Sequence, residues 1–348
     1  MPTDIMNNWL NSRKYAQIDS MLLMPQVHPN IKTIPLSVQR GQAEVYYLKA
    51  NDGSPWILKK FYTNKCPDSF YLNKICSILP NHKAFLCGKE RKILTSQSLN
   101  KNYNTYYLKE LGLWLTDTVL MPQISGQDWT SFTDMIRNKE MVLTPQEQIM
   151  LCKNLATIIK VLEKNSISHR DLSGGNIFID TESDEILLID FDSLYHPNLP
   201  MPVSTTIGSE GYTAPFIIPD NTKSSYCHFA DRFALTVLCV EFLILNHNSP
   251  FCHEGGIFNQ KEIYRRNGKT INYAKQRLKK YYPKALQIFE KAISSNSFKN
   301  CPLPDEWLEF CDCSVCLLTV NDLPEVNLKL PYIMPEDRVV LPDNPWKY

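Results

Sequence analysis

The chain has 348 residues, 37 Lys and Arg against 36 Asp and Glu, and 43% hydrophobic residues, enough for one large domain or two lobes with real cores. A formal net charge of +1 argues against a nucleic-acid or anionic-membrane surface as the main partner. No apolar run approaches the ~18 residues of a membrane span, and the N-terminus (Met1-Pro2-Thr3-Asp4) lacks the basic-then-apolar profile of a secretory signal.

In chain order, residues 1–31 show no clean period and read as an N-terminal extension. Alternation suited to strands follows at Ile34–Val38 and Ala43–Leu48, and a turn at Asn51-Asp52-Gly53-Ser54 leads into a further strand, Trp56–Phe61. Helical patterns come next over 69–79 and 84–97, then strand-like runs at 103–110 and 114–122. The Pro and Gly of Met121-Pro122-Gln123-Ile124-Ser125-Gly126 mark a lobe boundary. Beyond it helices dominate. Pro145 starts one whose Ile149, Cys152, Leu155, Ile158, Ile159 and Leu162 recur at helical spacing. Short strands are expected at 176–180 and 186–189, and Phe233–Leu245, apolar nearly all round, reads as a buried central helix despite Glu241. The tail, 317–348, is Pro-punctuated and reads as an extended strap. The division is thus extension 1–31, first lobe 32–124, second lobe 125–316 and tail. Eleven Cys, an odd number, favour reduced thiols in the cytoplasm. Cys301, Cys311, Cys313 and Cys316 are spaced too tightly for two zinc knuckles and read as ordinary thiols rather than metal ligands.

The most informative stretch is His169-Arg170-Asp171-Leu172-Ser173-Gly174-Gly175-Asn176, with Asp190-Phe191-Asp192 following. Two carboxylates and an amide are placed where short strands and a loop can aim them at one point. Phosphoryl transfer needs a carboxylate facing the attacking hydroxyl and oxygen ligands holding Mg²⁺ against a triphosphate. Asp171 suits the first role; Asn176 and Asp190 suit the second.

The segment resembles the H-R-D-L-x-x-x-N catalytic loop of protein kinases of the eukaryotic type. That resemblance implies a bilobal α+β fold, a small antiparallel sheet with a helix above a larger helical lobe, and ATP with Mg²⁺ (or Mn²⁺) as cofactors. It carries over to further positions. Lys59, in Trp56-Ile57-Leu58-Lys59, resembles the phosphate-binding lysine of V-A-I-K, with Ile57 facing the adenine. Glu90, in Glu90-Arg91-Lys92-Ile93-Leu94, resembles the helix glutamate that holds that lysine, at a longer spacing that implies an insertion around 64–82. The glycine-rich loop maps onto Val38 to Val45, where Gly41 alone is glycine; Gly41, Ala43 and Val45 are its nucleotide-side residues, with Arg40 as an added cation. Met121 matches the gatekeeper, Gln123 and Ile124 the adenine-binding linker, and Phe178 the floor of the adenine slot.

Three departures from the pattern matter. Asp192 replaces the glycine of D-F-G, which implies a stiffer turn. Ser173 replaces a lysine that would help neutralise the transferring group. In Gly208-Ser209-Glu210-Gly211-Tyr212-Thr213-Ala214-Pro215, which resembles the substrate-docking segment, Phe216 replaces a terminal Glu, and Asn300-Cys301-Pro302 lacks its Arg partner. Losing both in favour of apolar contact is coherent. Ser209 is expected to contact Asp171, Asp231 to cap the catalytic-loop backbone, and Arg170 to meet a phosphate on Ser204, Thr205 or Thr206. The resemblance implies a Ser/Thr protein kinase of the compact bacterial kind, with Asp171, Lys59 and Glu90 as catalytic residues and protein substrates, the chain itself among them. A scaffolding pseudokinase is the rival, favoured by the poor glycine loop. A small-molecule phosphotransferase is disfavoured by the docking segment.

Overall fold

The computed structural model describes residues 2–39, 41–102, 104–180, 183, 185–202, 206–217, 225–251 and 256–318. The first lobe comprises α1 (Pro2–Ser12), β1 (Ala16–Ile18), β2 (Met21–Pro25), β3 (Ser37–Gln39), β4 (Ala43–Ala50), β5 (Pro55–Phe61), α2 (Ser69–Ile78), α3 (Leu86–Lys89), β6 (Lys92–Ile93), β7 (Leu99–Asn100), α4 (Lys109–Leu115) and β8 (Thr118–Pro122). Its strands make one 8-stranded antiparallel sheet in the order β6-β8-β5-β4-β2-β1-β7, with β3 beside β4. The β4–β5 turn closes where the sequence placed it. Gly53 takes a φ of +91°, and Asp52 Oδ1 accepts from the Ser54 amide at 2.9 Å.

Cross-strand partners share a face of a sheet, so register decides which side chains look toward the second lobe. Val45, Lys59 and Val119 are in line, as are Tyr47, Ile57 and Met121. The other face, with Tyr46, Leu58 and Leu120, packs against Met6 and Trp9 of α1, both without exposed surface. Residues 2–25 are therefore part of the lobe, not an extension to it; their strands of three and five residues are too short to show a period. Two further expectations are corrected. The helix read over 84–97 is a 3-10 turn at Lys83–Phe85, the short α3, and then β6 pairing with β8. The strand read over 103–110 gives way to α4, whose Leu111, Trp114 and Leu115 are buried at helical spacing.

The second lobe comprises β9 (Gln127–Asp128), α5 (Trp129–Arg137), α6 (Pro145–Lys164), β10 (Ile177–Asp180), β11 (Glu185–Leu188), α7 (Arg232–Ile244), α8 (Gln260–Arg265), α9 (Lys269–Tyr281), α10 (Pro283–Ser294) and α11 (Pro304–Leu318). Thr144 and Glu147 form a reciprocal capping box at the start of α6, ahead of Pro145. Every residue of α7 is buried, its nearly all-apolar run taking Arg232, Thr236 and Glu241 inside with it, and α6 packs against both α7 and α11. A three-stranded sheet, β11-β10-β9, carries the loops that face the first lobe. The lobe linker turns at Gly126 (φ +93°), where a Cβ would collide with the Ile179 carbonyl. The strap read over 317–348 lies outside the described residues beyond Leu318. Among the described residues no helix is long and apolar enough to cross a membrane. The bilobal α+β architecture expected from the sequence is the one found.

Candidate active site

The catalytic loop hangs from the buried start of α7. Asp231 accepts from the amides of His169 (2.6 Å) and Arg170 (2.8 Å), two donors that the tight turn leaves without strand partners. Burial raises the Asp231 pKa above the usual carboxylate range, although His169 and both amides pull it down. Arg170 takes φ +69° and Asp190 φ +62°, left-handed conformations that non-glycine residues adopt only where surroundings enforce them. His169 supplies one such constraint: Nε2 donates to the Ile189 carbonyl at 2.7 Å, and its ring meets Phe191 edge-on at 5.2 Å. Phe191 also meets Phe85 edge-on at 6.2 Å beneath α3. Gly88 makes that seat possible, because a Cβ there would strike the Phe191 ring.

On this frame Asp171 Oδ1 accepts from Ser209 Oγ at 2.9 Å, the contact expected of the docking segment. Asn176 Nδ2 donates to the Asp171 carbonyl at 2.7 Å, which leaves Oδ1 as the amide atom available to a cation. Burial, then the charge of Asp190, push the Asp171 pKa above the usual value, against the opposing pull of His169, Ser209 and Lys59.

Lys59 crosses from the first lobe. Its Nζ donates to Asp190 Oδ1 at 2.7 Å and to Asp192 Oδ2 at 2.6 Å. Asp192 Oδ1 in turn accepts from Arg91 Nη2 at 2.7 Å. Burial works against the Lys59 ammonium, yet Asp190 and Asp192 outweigh it and its pKa sits above the ordinary lysine value. For Asp192, burial is likewise overcome by Lys59 and Arg91, and the carboxyl is held well below the usual range.

One sequence expectation fails here. Glu90 is exposed at the C-terminal end of α3 and does not meet Lys59; its neighbour Arg91 is the residue turned inward. Asp192, which replaces the family glycine, has ordinary backbone angles. It lies in a 3-10 turn (Phe191–Ser193), and the left-handed residue is Asp190. The signal for Asp192 was its acidity at a glycine position beside an inward cation, legible only once the two are known to touch.

The remaining nucleotide-side expectations divide. Val45, Ile57 and Met121 are half-buried on the face of the sheet that carries Lys59. Phe178 is half-buried on the face of β10 away from the core residues Ile177 and Ile179. Gly41 is exposed, its φ is not left-handed, and a Cβ there would meet nothing, so no special turn depends on it. Ala43 has no exposed surface and belongs to the core with Phe61 and Val119, which closes it to a ligand. The Gln123 amide is spent on the Pro55 carbonyl at 3.1 Å, while the Ile124 backbone has no hydrogen-bond partner among the described residues. Arg40 lies outside the described residues.

The donor set fits Mg²⁺. Asp190, with a side chain 39% exposed, and Asn176 Oδ1 are hard oxygens, and magnesium habitually takes one or two protein oxygens and completes its shell with phosphates and water. No group of three or more His, Cys, Asp or Glu able to cage a metal occurs among the described residues. Cys311, Cys313 and Cys316 lie along α11; Cys311 is buried, Cys313 is exposed, and the Cys316 side chain lies outside the described residues.

Arg170 is held by oxygen acceptors in the unphosphorylated chain. Its guanidinium donates to the carbonyls of Ser193 (3.0 Å), Thr206 (2.9 Å) and Ser225 (3.0 Å) and to Ser225 Oγ (2.9 Å), over the Tyr226 ring. Neutral oxygens fill the fork expected to grip a phosphate. Ser204 and Thr205 lie outside the described residues. Phe216 meets Phe298 edge-on at 4.9 Å, so apolar contact does stand where the family pattern has an ion pair.

A curled antiparallel sheet set on a helical lobe, with a lysine of one meeting carboxylates of the other, is the architecture of a protein kinase. The profile of the family described as "Protein kinase domain" matches residues 92–305, well over half the sequence, and the chain belongs to that family. Lys59 precedes the matched span; geometry, not the profile, brings it to the site. Among characterised proteins, the phosphorylase b kinase gamma catalytic chain, liver/testis isoform, of Homo sapiens is 26% identical over 183 residues, covering 49% of this chain and 44% of that protein. The Mus musculus protein of the same name is 25% identical over the same length, and that of Bos taurus 29% over 128 residues, 36% of this chain and 31% of its own. The chain thus spans less than half the length of these relatives.

Proposed function

We propose that the chain transfers the γ-phosphoryl group of ATP to a Ser or Thr hydroxyl of a protein, with the chain itself among its substrates. One observation carries the reading: Lys59 and Asp190, 131 residues apart, meet at 2.7 Å beside Asn176 and Asp171. Asp171 accepts the hydroxyl proton, helped by a pKa above the carboxylate norm. Lys59 supplies positive charge toward the phosphates, and Asn176 Oδ1 with the Asp190 carboxylate are the atoms to hold Mg²⁺. Bound Mg²⁺ would neutralise charge on the transferring group. Ser209 orients Asp171 beside the docking segment. The relatives are by name kinases of phosphorylase b, which supports a protein acceptor. Ser173-Gly174-Gly175 lacks the A-A-R stretch of tyrosine-directed enzymes, which supports Ser/Thr. We place the protein in the cytoplasm, because the nine described cysteines are all free thiols.

The test is incubation with Mg²⁺ and γ-labelled ATP, alone and with Ser-, Thr- or Tyr-containing peptides, beside Asp171→Ala. Label on Ser or Thr that disappears in the variant supports the reading. Mg²⁺-dependent nucleotide binding without transfer would replace it with that of a scaffold.

A further inference from the structure

A phosphate-binding lysine is useful only if something fixes its ammonium, and the helices beside β5 offer nothing for this. Neither α2 nor α3 contains a carboxylate. Asp68 is spent on capping α2, accepting from the amides of Phe70 and Tyr71. Glu90 is exposed.

The charge pattern is inverted instead. The chain segment after α3 contributes a cation, Arg91, with a side chain 4% exposed. The turn after Asp190 contributes an anion, Asp192, with a side chain 6% exposed. The result is an alternating series, Arg91–Asp192–Lys59–Asp190, in which the two carboxylates differ in one respect: Asp190 is 39% exposed and Asp192 is walled in. An exposed carboxylate can exchange an ammonium for a metal ion. One closed between two buried cations has neither solvent nor a metal at hand to replace Lys59, so it keeps the ammonium when the exposed carboxylate lets go.

We propose that Asp192, backed by Arg91, is the positioning residue for Lys59, taking the part of a helix carboxylate, and that Asp190 is the partner Lys59 gives up when nucleotide enters. This rests on the phosphoryl-transfer reading above. It puts the lysine anchor and the metal ligand on one turn, so Lys59 is set by the conformation of residues 190–192. The tie of α2 to that region is separate, through Tyr71 Oη donating to the Leu194 carbonyl at 2.7 Å.

Asp192→Asn, Asp192→Glu and Glu90→Gln are compared with the wild-type full chain in two assays. The first measures acylation of the Lys59 amine by mass spectrometry, which needs no nucleotide. Asp192→Asn is expected to label about tenfold faster, because the amine loses one of its two carboxylate partners, a contact worth roughly one charge-assisted hydrogen bond, and Glu90→Gln to match wild type. The second measures binding of adenosine and of a non-hydrolysable ATP analogue, together with turnover. Asp192→Asn should lose about 10- to 100-fold in analogue affinity and in kcat/KM, the worth of one charge-assisted hydrogen bond. Adenosine binding should be unchanged, and Asp192→Glu should recover part of the loss. Unchanged labelling in Asp192→Asn, faster labelling in Glu90→Gln, or equal loss of adenosine and analogue would overturn the proposal. A wild-type chain that neither binds the analogue nor transfers label would instead defeat the functional reading, and the labelling assay would still decide the Lys59 contact.

Discussion

Asp171 in the second lobe and Lys59 in the first are held by different means. Around Asp171 the backbone itself is tied: Asp231 takes two amides, Asn176 binds a carbonyl, and His169 binds another. Around Lys59 the ties are between side chains, chiefly charges joined over sequence separations of 101 and 133 residues. A backbone-tied loop demands particular residues at fixed short spacing. A charge series demands only that its signs alternate, and so can be rebuilt from different positions. The floor of this cleft is therefore rigid in sequence, and its roof is free to change how it is assembled.

The largest effect that separates the two should come from the roof. Lys59→Met is expected to lower the transfer rate about 10²- to 10³-fold, as for loss of one preorganised donor. Asp192 keeps Arg91 as a partner, so a melting curve should move far less than it would for an unpaired buried carboxylate.

The floor rests in turn on Glu241, buried in α7 and accepting from Trp129 Nε1, Tyr212 Oη and the Ile257 amide. Burial pushes its carboxyl up from 4.5 to about 7, against those three donors. Below pH 4.5 the group is protonated in both folded and unfolded chains and costs nothing. As pH rises to about 7 the unfolded chain ionises first and stability falls, by about 3 kcal/mol in all; above that the loss is constant. Denaturant titrations across pH 4–8 should show this slope, and Glu241→Gln should flatten it whatever its constant offset.

Asp231→Asn leaves one of the two amides without its charged acceptor and should cost about 1–3 kcal/mol in urea unfolding, with slower turnover. A result near zero would mean that the loop is held elsewhere. At the small end, Gly41→Ala should leave ATP affinity within about twofold, because nothing there requires a glycine. A large loss would show that the roof also depends on its backbone.

Legibility in the sequence followed the same division. His169 to Asn176, Ser209 and Asp231 were readable because each satisfies a neighbour at a fixed position in a local motif. The phase of β5 was readable too, since alternation assigns Ile57 and Lys59 to one face. Glu90 was misread because local likeness to a helix turn says nothing about which of two adjacent residues, Glu90 or Arg91, turns inward. Residues 2–25 were missed because Met6 and Trp9 announce burial only once the sheet they cover exists. The carbonyl partners of Arg170 on Ser193, Thr206 and Ser225 were not legible, because backbone acceptors leave no trace in side-chain identity.

The edge-to-face seat of Phe216 on Phe298 has a thermal corollary. Where charges clasp a loop to a lobe, salt screens them; two rings carry no charge for salt to screen or for acid to titrate. Apolar adhesion weakens on cooling, so chilling is the perturbation to which this corner of the molecule should answer.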